Sequence, residues 1–509
     1  MWRGIAFVII GWLLALAPAR AEWRRAESPS FVLYGNMSES QLRERSLLLE
    51  DFDRLLRRLA SSDRPAPKLH VYFVDGIADL RMVREVPMST AGYYMASDDG
   101  IAAIVDARAE SRGTEILFHE YTHHFMWQHM PNTYPTWYVE GFAEYFSTVR
   151  FSGDHIDIGN YSRGRASSIL DGAWLPMERV LNGGTDGLNA EAGAAYYAQS
   201  WLLVHYFYST PERQRALSQF LRAFRRSPSG TDALLAATGM TPDALTRELR
   251  RYIQGGQIAY RQAQRASAAA PPPIVVTTMP TSTGDMILYE AALRVGIAED
   301  RRQPYLQRIR AAARRYPEDP LAMRVLAHAE LLYGDGASAD RLLDRLLASA
   351  PNDADLMYLK GMRYLALAKA DGAPESASAS ATLWFGRARA ADPTHFQALI
   401  RYVESLHGDL ASASEETRDL LVRAGQLAPQ VASISLNAAR VLIERGDYDE
   451  ALRLLAPLVA NPHDRSLAAA ANELMQQAAG GRPRGMIEGK PDGEAPPGPT
   501  PAPAPHGTE

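Results

Sequence analysis

The chain has 509 residues, of which 46% are hydrophobic and 22% charged, with a formal net charge of −5. That length exceeds one ordinary core and predicts two or three domains of soluble globular composition, and the small charge speaks against a nucleic-acid partner. With no cysteine, disulfides, cysteine-linked lipids and thiolate ligands or nucleophiles are excluded, so any metal must be held by nitrogen and oxygen.

Residues 1–21 read as a secretory signal peptide. Arg3 supplies the positive start, Gly4 to Leu16 is an apolar run short for a membrane span, and Ala19-Arg20-Ala21 is a small-x-small cleavage site before Glu22. An uncleaved anchor is the alternative reading, and either one places the folded part outside the cytoplasm, periplasmic or secreted.

Beyond the signal, Ser30 to Tyr34, Leu69 to Val74, Gly92 to Ala96 and Ile101 to Val105 read as strands, and Ser38 to Ala60 as a helix. Thr136 to about Gln262 is chiefly helical, including Tyr196 to Tyr208 and Pro211 to Arg226. The expected fold is an α+β domain over 22–262, a small mixed sheet with helices, followed by an all-α helical-repeat solenoid over 286–479. Residues 263–285, rich in Ala, Ser, Thr and Pro, predict an extended linker, and 480–509 a disordered tail.

The solenoid is expected from prolines at 317, 351, 393, 429 and 462, which are 34, 42, 36 and 33 residues apart and follow Ala-rich amphipathic helices. A period near 34 is the sign of tetratricopeptide helix pairs. One unit carries Gly361 and Tyr364 in its first helix and Ala381, Phe385 and Ala388 in its second. Another has Gly446-Asp447-Tyr448 as its turn, followed by Ala451 and Leu455. Four units are expected, with a degenerate fifth at 286–317 and an inserted surface loop near 371–378. Generic helical hairpins are the plainer alternative.

The densest chemistry lies in Phe118 to His129, where His119, Glu120 and His123 form H-E-x-x-H. On a helix, residues four apart share a face, so both imidazoles can reach one metal ion with Glu120 beside it. Ser111 or Thr114 is the expected helix cap, with Glu115 as a first-turn charge; Pro131 and Pro135 end the helix. A zinc site needs a third protein ligand. Glu140 offers one, across a proline-marked turn, and Glu144 is four residues on, suited to accept the outer N–H of a ligating histidine. Gly141 would let helices approach closely.

H-E-x-x-H followed by W-x-x-E-G-x-A-E-Y resembles the gluzincins, the thermolysin-like or peptidase MA-like zinc metallopeptidases. The resemblance spans about 29–262, with strong motifs only in 118–146. It implies a Zn2+ cofactor, His119, His123 and Glu140 as ligands, and Glu120 as general base. The metzincin extension is missing, because Met126 stands where its glycine would be, so His129 reads as a helix-end residue. His124 points away and reads as a packing residue. Tyr197 resembles the oxyanion-stabilising tyrosine of related sequences, with Tyr196 and His205 as rivals. Arg163 and Arg165 read as a solvated loop, with a substrate carboxylate as the alternative.

The expected function is zinc-dependent peptide-bond hydrolysis outside the cytoplasm, with the repeats recruiting a polypeptide substrate or protein partner. The alternatives are an inactive homologue that keeps the metal and a peptide-binding or assembly scaffold acting through its repeats. A membrane-embedded protease is disfavoured, because no apolar run of about 18 residues follows the signal.

Overall fold

A computed structural model describes residues 22–481 apart from 89, 162, 256, 257, 259, 266–270, 407–413 and 460–464. The signal region 1–21 and the tail beyond 481 lie outside the described residues.

The chain opens with β1 (Trp23–Glu27), β2 (Phe31–Asn36), α1 (Glu39–Ala60), β3 (Leu69–Val74), α2 (Ile77–Val83), β4 (Gly92–Ser97) and β5 (Gly100–Asp106). Next come α3 (Glu110–His129), α4 (Thr136–Ser147), β6 (Arg150–Ser152), β7 (His155–Ile158), α5 (Arg163–Leu170), α6 (Met177–Asn182) and α7 (Ala190–Tyr208). Helices α8 (Pro211–Arg226), α9 (Gly230–Thr238) and α10 (Pro242–Gln254) lead to β8 (Arg261–Gln264) and β9 (Val275–Thr278).

Two sheets form. The larger has the order β4-β5-β3-β2-β1-β9, with β2, β3 and β5 parallel and the other pairings antiparallel. Strand alternation decides what covers each face. Leu69, Val71 and Phe73 of β3, with Ile101, Ala103 and Val105 of β5, face a core shared with α1, α3 and α4. Tyr72, Val74, Ala102 and Ile104 face the opposite side. The sheet is therefore buried on both faces, which accounts for the unbroken apolar run in β5. The smaller sheet, β6-β7-β8, turns Ile156 and Ile158 of β7 into the same core as α1, α3 and α4.

The helical part runs α11 (Thr283–Val295), α12 (Glu299–Ala313), α13 (Pro320–Tyr333), α14 (Gly336–Ser349), α15 (Ala354–Ala368) and α16 (Ser376–Ala391). It ends with α17 (Phe396–Leu406), α18 (Glu415–Leu427), α19 (Ala432–Arg445), α20 (Tyr448–Val459) and α21 (Arg465–Gly481). Each proline-closed stretch holds one helix pair, from α11/α12 to α19/α20. A Cβ on Gly361 would lie 2.6 Å from the Phe385 ring, so this glycine lets α15 and α16 close on that ring. Gly446 ends α19 at φ 80°, a conformation that favours glycine.

Several expectations change. Residues 263–285 are not an extended tether: β8 pairs with β7, and β9 joins the large sheet beside β1. The repeats are not separate either. Met286, Ile287 and Leu293 of α11 and Ile309 of α12 pack on the second sheet face. Phe396, Leu399, Leu427, Val431 and Ile434 join the core of α1, α3 and α4. The array thus wraps the sheet domain at both ends. The inserted loop is shorter than expected, since α16 begins at Ser376, and Gly480 and Gly481 belong to α21. Helix α3 begins at Glu110, so Ser111 and Thr114 fall inside it rather than capping it.

Among the described residues, no helix is long and apolar enough to cross a membrane.

Candidate metal centre

Helices α3 and α4 build the site. The turn between them carries Pro135 at the N-cap of α4, and the two helices pack side by side. A third helix, α7, crosses α4 closely. A Cβ on Gly141 would lie 2.2 Å from the Ser200 carbonyl oxygen, so only glycine permits that approach.

The geometry converges on one point. His119 Nε2 and His123 Nε2 are 3.0 Å apart, and Glu140 Oε2 is 3.5 Å from each. These three ligand atoms lie within 4.8 Å of one another. A tetrahedral zinc with bonds of about 2.0–2.1 Å needs donors roughly 3.3 Å apart. The donor set is two imidazoles and one carboxylate, which suits zinc. Glu140 is 7% exposed, yet its Oε2 has no hydrogen-bond partner among the described residues. Such an atom calls for a cation or another partner. The residues present therefore fit the implied metal.

Supporting groups surround the triangle. Glu144 Oε1 is 3.3 Å from His119 Nδ1, on the side of the ring away from Glu140. Arg165 holds the same carboxylate by two hydrogen bonds, Nε at 2.8 Å and Nη2 at 2.6 Å. Arg165 is therefore no solvated loop residue. It lies on α5, pairs with Glu144, and places its guanidinium 5.0 Å from the Tyr197 ring centre. The side chain of Arg163 lies outside the described residues.

Electrostatics follow from this crowding. Burial pushes His119 down, but the Glu140 contact and the charges of Glu144 and Glu120 prevail and carry it up to about 9. Burial likewise pushes Glu140 up, and His123 and His119 overcome it, holding the carboxylate below its ordinary range. Glu120 is raised, chiefly by burial and further by Glu140, against the opposing histidines. One of its oxygens accepts the Tyr94 backbone N–H at 3.1 Å.

Tyr197 lines the same cleft as His119, Glu120, His123 and Glu140, with its ring centre 6.3 Å from that of His119. Glu140, then burial, raises its pKa, so its hydroxyl stays protonated. Its rivals are elsewhere. Tyr196 donates to the Gly183 carbonyl, and His205 Nδ1 lies 2.8 Å from the Tyr252 hydroxyl. His129 Nδ1 pairs with Ser62 Oγ at 3.0 Å, and His124 Nδ1 with the Tyr94 hydroxyl at 3.0 Å. Both are buried and lowered to about 3 by that burial, as uncharged packing histidines are.

Sequence reasoning missed the contribution of the repeats. Gln430, between α18 and α19, and Pro457 of α20 line the cleft that holds the triangle. Their separation in the chain, about 300 residues from α3, left no local signal.

By architecture the chain is mostly helical, with a small mixed sheet and a helical-repeat region. Within that class, residues 406–478 match the tetratricopeptide repeat family, which implies a protein partner. No curated protein matches the chain. Among solved structures, the chain is similar to a thermophilic TPR protein of Thermus thermophilus. The two are 20% identical, with 38% of this chain and 100% of that one covered and a TM-score of 0.31.

Proposed function

We propose that this chain is an extracytoplasmic zinc peptidase whose repeats form part of its polypeptide-binding surface. The observation that carries the reading is the triangle of half-buried His119 and His123 with buried Glu140, an orphaned carboxylate oxygen at its apex. These residues would hold the ion, and Glu144 would fix the His119 ring through Nδ1. A zinc ion there would supply a Lewis acid that polarises a carbonyl and eases deprotonation of water.

The chain's own groups supply the rest. Glu120, raised by burial and oriented by the Tyr94 N–H, is suited to take a proton from water and return it to the leaving amine. Tyr197, held neutral, is a hydroxyl donor for the oxyanion. Strand β4 is the edge of the large sheet, and Tyr94, Met95 and Ala96 line the cleft. A sheet-edge strand beside the triangle suits an extended polypeptide.

The second reading is a non-catalytic peptide-binding or assembly scaffold, favoured by the tetratricopeptide match at 406–478. Hydrolysis of an unfolded protein such as reduced casein, compared between wild type and Glu120→Gln, separates the two. The peptidase reading expects cleavage by wild type and its loss in the variant. Equal activity in both removes Glu120 as the base. No cleavage by zinc-loaded wild type favours the scaffold.

A further inference from the structure

The cleft that holds the metal triangle is unevenly charged. Its volume is about 570 Å3, and its acidic side chains, Glu120 and Glu140, stand on α3 and α4. Among the described residues, one arginine and no lysine lines it, and that arginine is Arg84. Arg84 closes α2 in extended backbone (φ −147°, ψ 146°), its N–H donating to the Leu80 carbonyl. Its side chain is exposed and reaches across to β4, where Nη1 donates to Met95 Sδ at 2.6 Å. A thioether is a weak acceptor. Among the described residues no carboxylate pairs with this guanidinium, and the adjacent Glu85 is held by Arg81 at 2.9 Å.

Strand β4 fixes where this cation stands relative to the chemistry. Tyr94 turns its N–H off the sheet's edge to Glu120 at 3.1 Å, so the base marks the point of the strand beside the triangle. Met95 is the next residue and lies on the other face. Tyr94 and Ala96 pack on the core of α1, α3 and α4, whereas Tyr93 and Met95 pack on the opposite one. Side chains of a polypeptide running alongside β4 alternate in the same way. Where one points toward the metal helix, its neighbour points toward Met95 and Arg84. The far wall adds no competing charge. Gln430 and Pro457 line it, and Gln128 Nε2 of α3 fastens that side by donating to the Leu427 carbonyl at 2.9 Å.

We propose that Arg84 is a specificity-determining residue that takes a carboxylate of the bound polypeptide in a paired hydrogen bond from its guanidinium. The proposal rests on the peptidase reading for calling that polypeptide a substrate. The carboxylate is an acidic side chain near the bond held at the metal, or the polypeptide's C-terminus at that place. Both present the planar pair of oxygens that a guanidinium matches with two N–H donors. Arg84 gives up only its thioether contact to receive either.

The test uses full-length Glu120→Gln protein supplied with zinc and fluorescein-labelled Gly/Ser peptides read by anisotropy. One peptide carries a central Glu and an amidated end, one a central Gln and a free carboxyl end, and the reference a central Gln and an amidated end. Charge-assisted hydrogen bonds predict at least ~10-fold tighter binding of a carboxylate peptide than of the reference, and the tighter of the two identifies the source. Arg84→Gln should cut that preference below ~3-fold. Arg84→Lys, which keeps the charge without the fork, should retain more of it, and Arg81→Gln should leave it intact. Equal binding of all three peptides overturns the proposal. So does a preference that survives Arg84→Gln, since the metal or another group then holds the carboxylate, or one that Arg81→Gln abolishes equally. A preference that behaves as expected in protein that takes up no zinc, with wild type that cleaves nothing, upholds the carboxylate site and removes the peptidase reading instead.

Discussion

Replacing Glu144 by glutamine probes whether the carboxylate behind His119 positions the ring or merely fills space. Glu144 is 6% exposed, receives two bonds from Arg165 at 2.8 and 2.6 Å, and lies 3.3 Å from His119 Nδ1. Glutamine keeps the shape, removes the charge and turns an NH2 toward one partner. Loss of such a support costs about 10–100-fold in metal affinity, or about 1.4–2.7 kcal/mol. Weakening the charged Glu144–Arg165 pair should cost about 1–3 kcal/mol of stability as well. Pairing Glu144→Gln with Arg165→Met removes that cation, so stability should partly recover while zinc affinity stays low. Urea unfolding gives the stability and competition with a chromophoric chelator the affinity. The reasoning is refuted if a folded Glu144→Gln protein binds zinc as tightly as wild type, or if affinity returns with stability in the double variant.

Other outcomes follow from the same geometry. In the metal-free protein His119 is raised from 6.5 to about 9, so its stabilisation is full below pH 6.5 and is lost as pH rises through about 9. Calorimetry in chelator should show the melting temperature declining over that window, while zinc affinity rises as the proton leaves. Tyr197→Phe should lower kcat by about 100-fold with zinc content unchanged, measured on a peptide that wild type cleaves. Gly141→Ala forces a Cβ against the Ser200 carbonyl and should destabilise the fold by about 1–3 kcal/mol in a denaturant melt. Gln128→Ala should loosen the repeats from α3, seen as faster amide hydrogen exchange in α18 with exchange in β3 unchanged.

How much could be read beforehand differs by element. Helices α3 and α4 were legible because spacing of four and flanking prolines have one structural meaning. Strands β2, β3 and β5 were legible as apolar runs, and the repeats as a proline period. Strands β6 to β8 have three or four residues each and mixed polarity, so no period marks them. Strands β1 and β9 escaped because they lie at the sheet's far edge, 23–27 and 275–278, and make sense only when paired. Arg165 looked like a loop residue in Ser-Arg-Gly-Arg, since its partner Glu144 lies 21 residues back on another helix. The packing of the repeats against the sheet domain left no mark in the sequence for the same reason. Spacing marks which helices pair with their neighbours, but not that α11 covers the sheet or that Gln430 borders the cleft. Removing 286–479 would strip one face of that sheet, so activity after truncation would not report on the site alone.

The central claim is that His119, His123 and Glu140 hold one zinc ion. Native mass spectrometry of the purified full chain, beside Glu140→Ala, tests it directly. The account predicts one tightly held zinc per wild-type chain and its loss, or exchange into a weak chelator, in the variant. Wild type that takes up no zinc, or a variant that holds it as firmly, would contradict it.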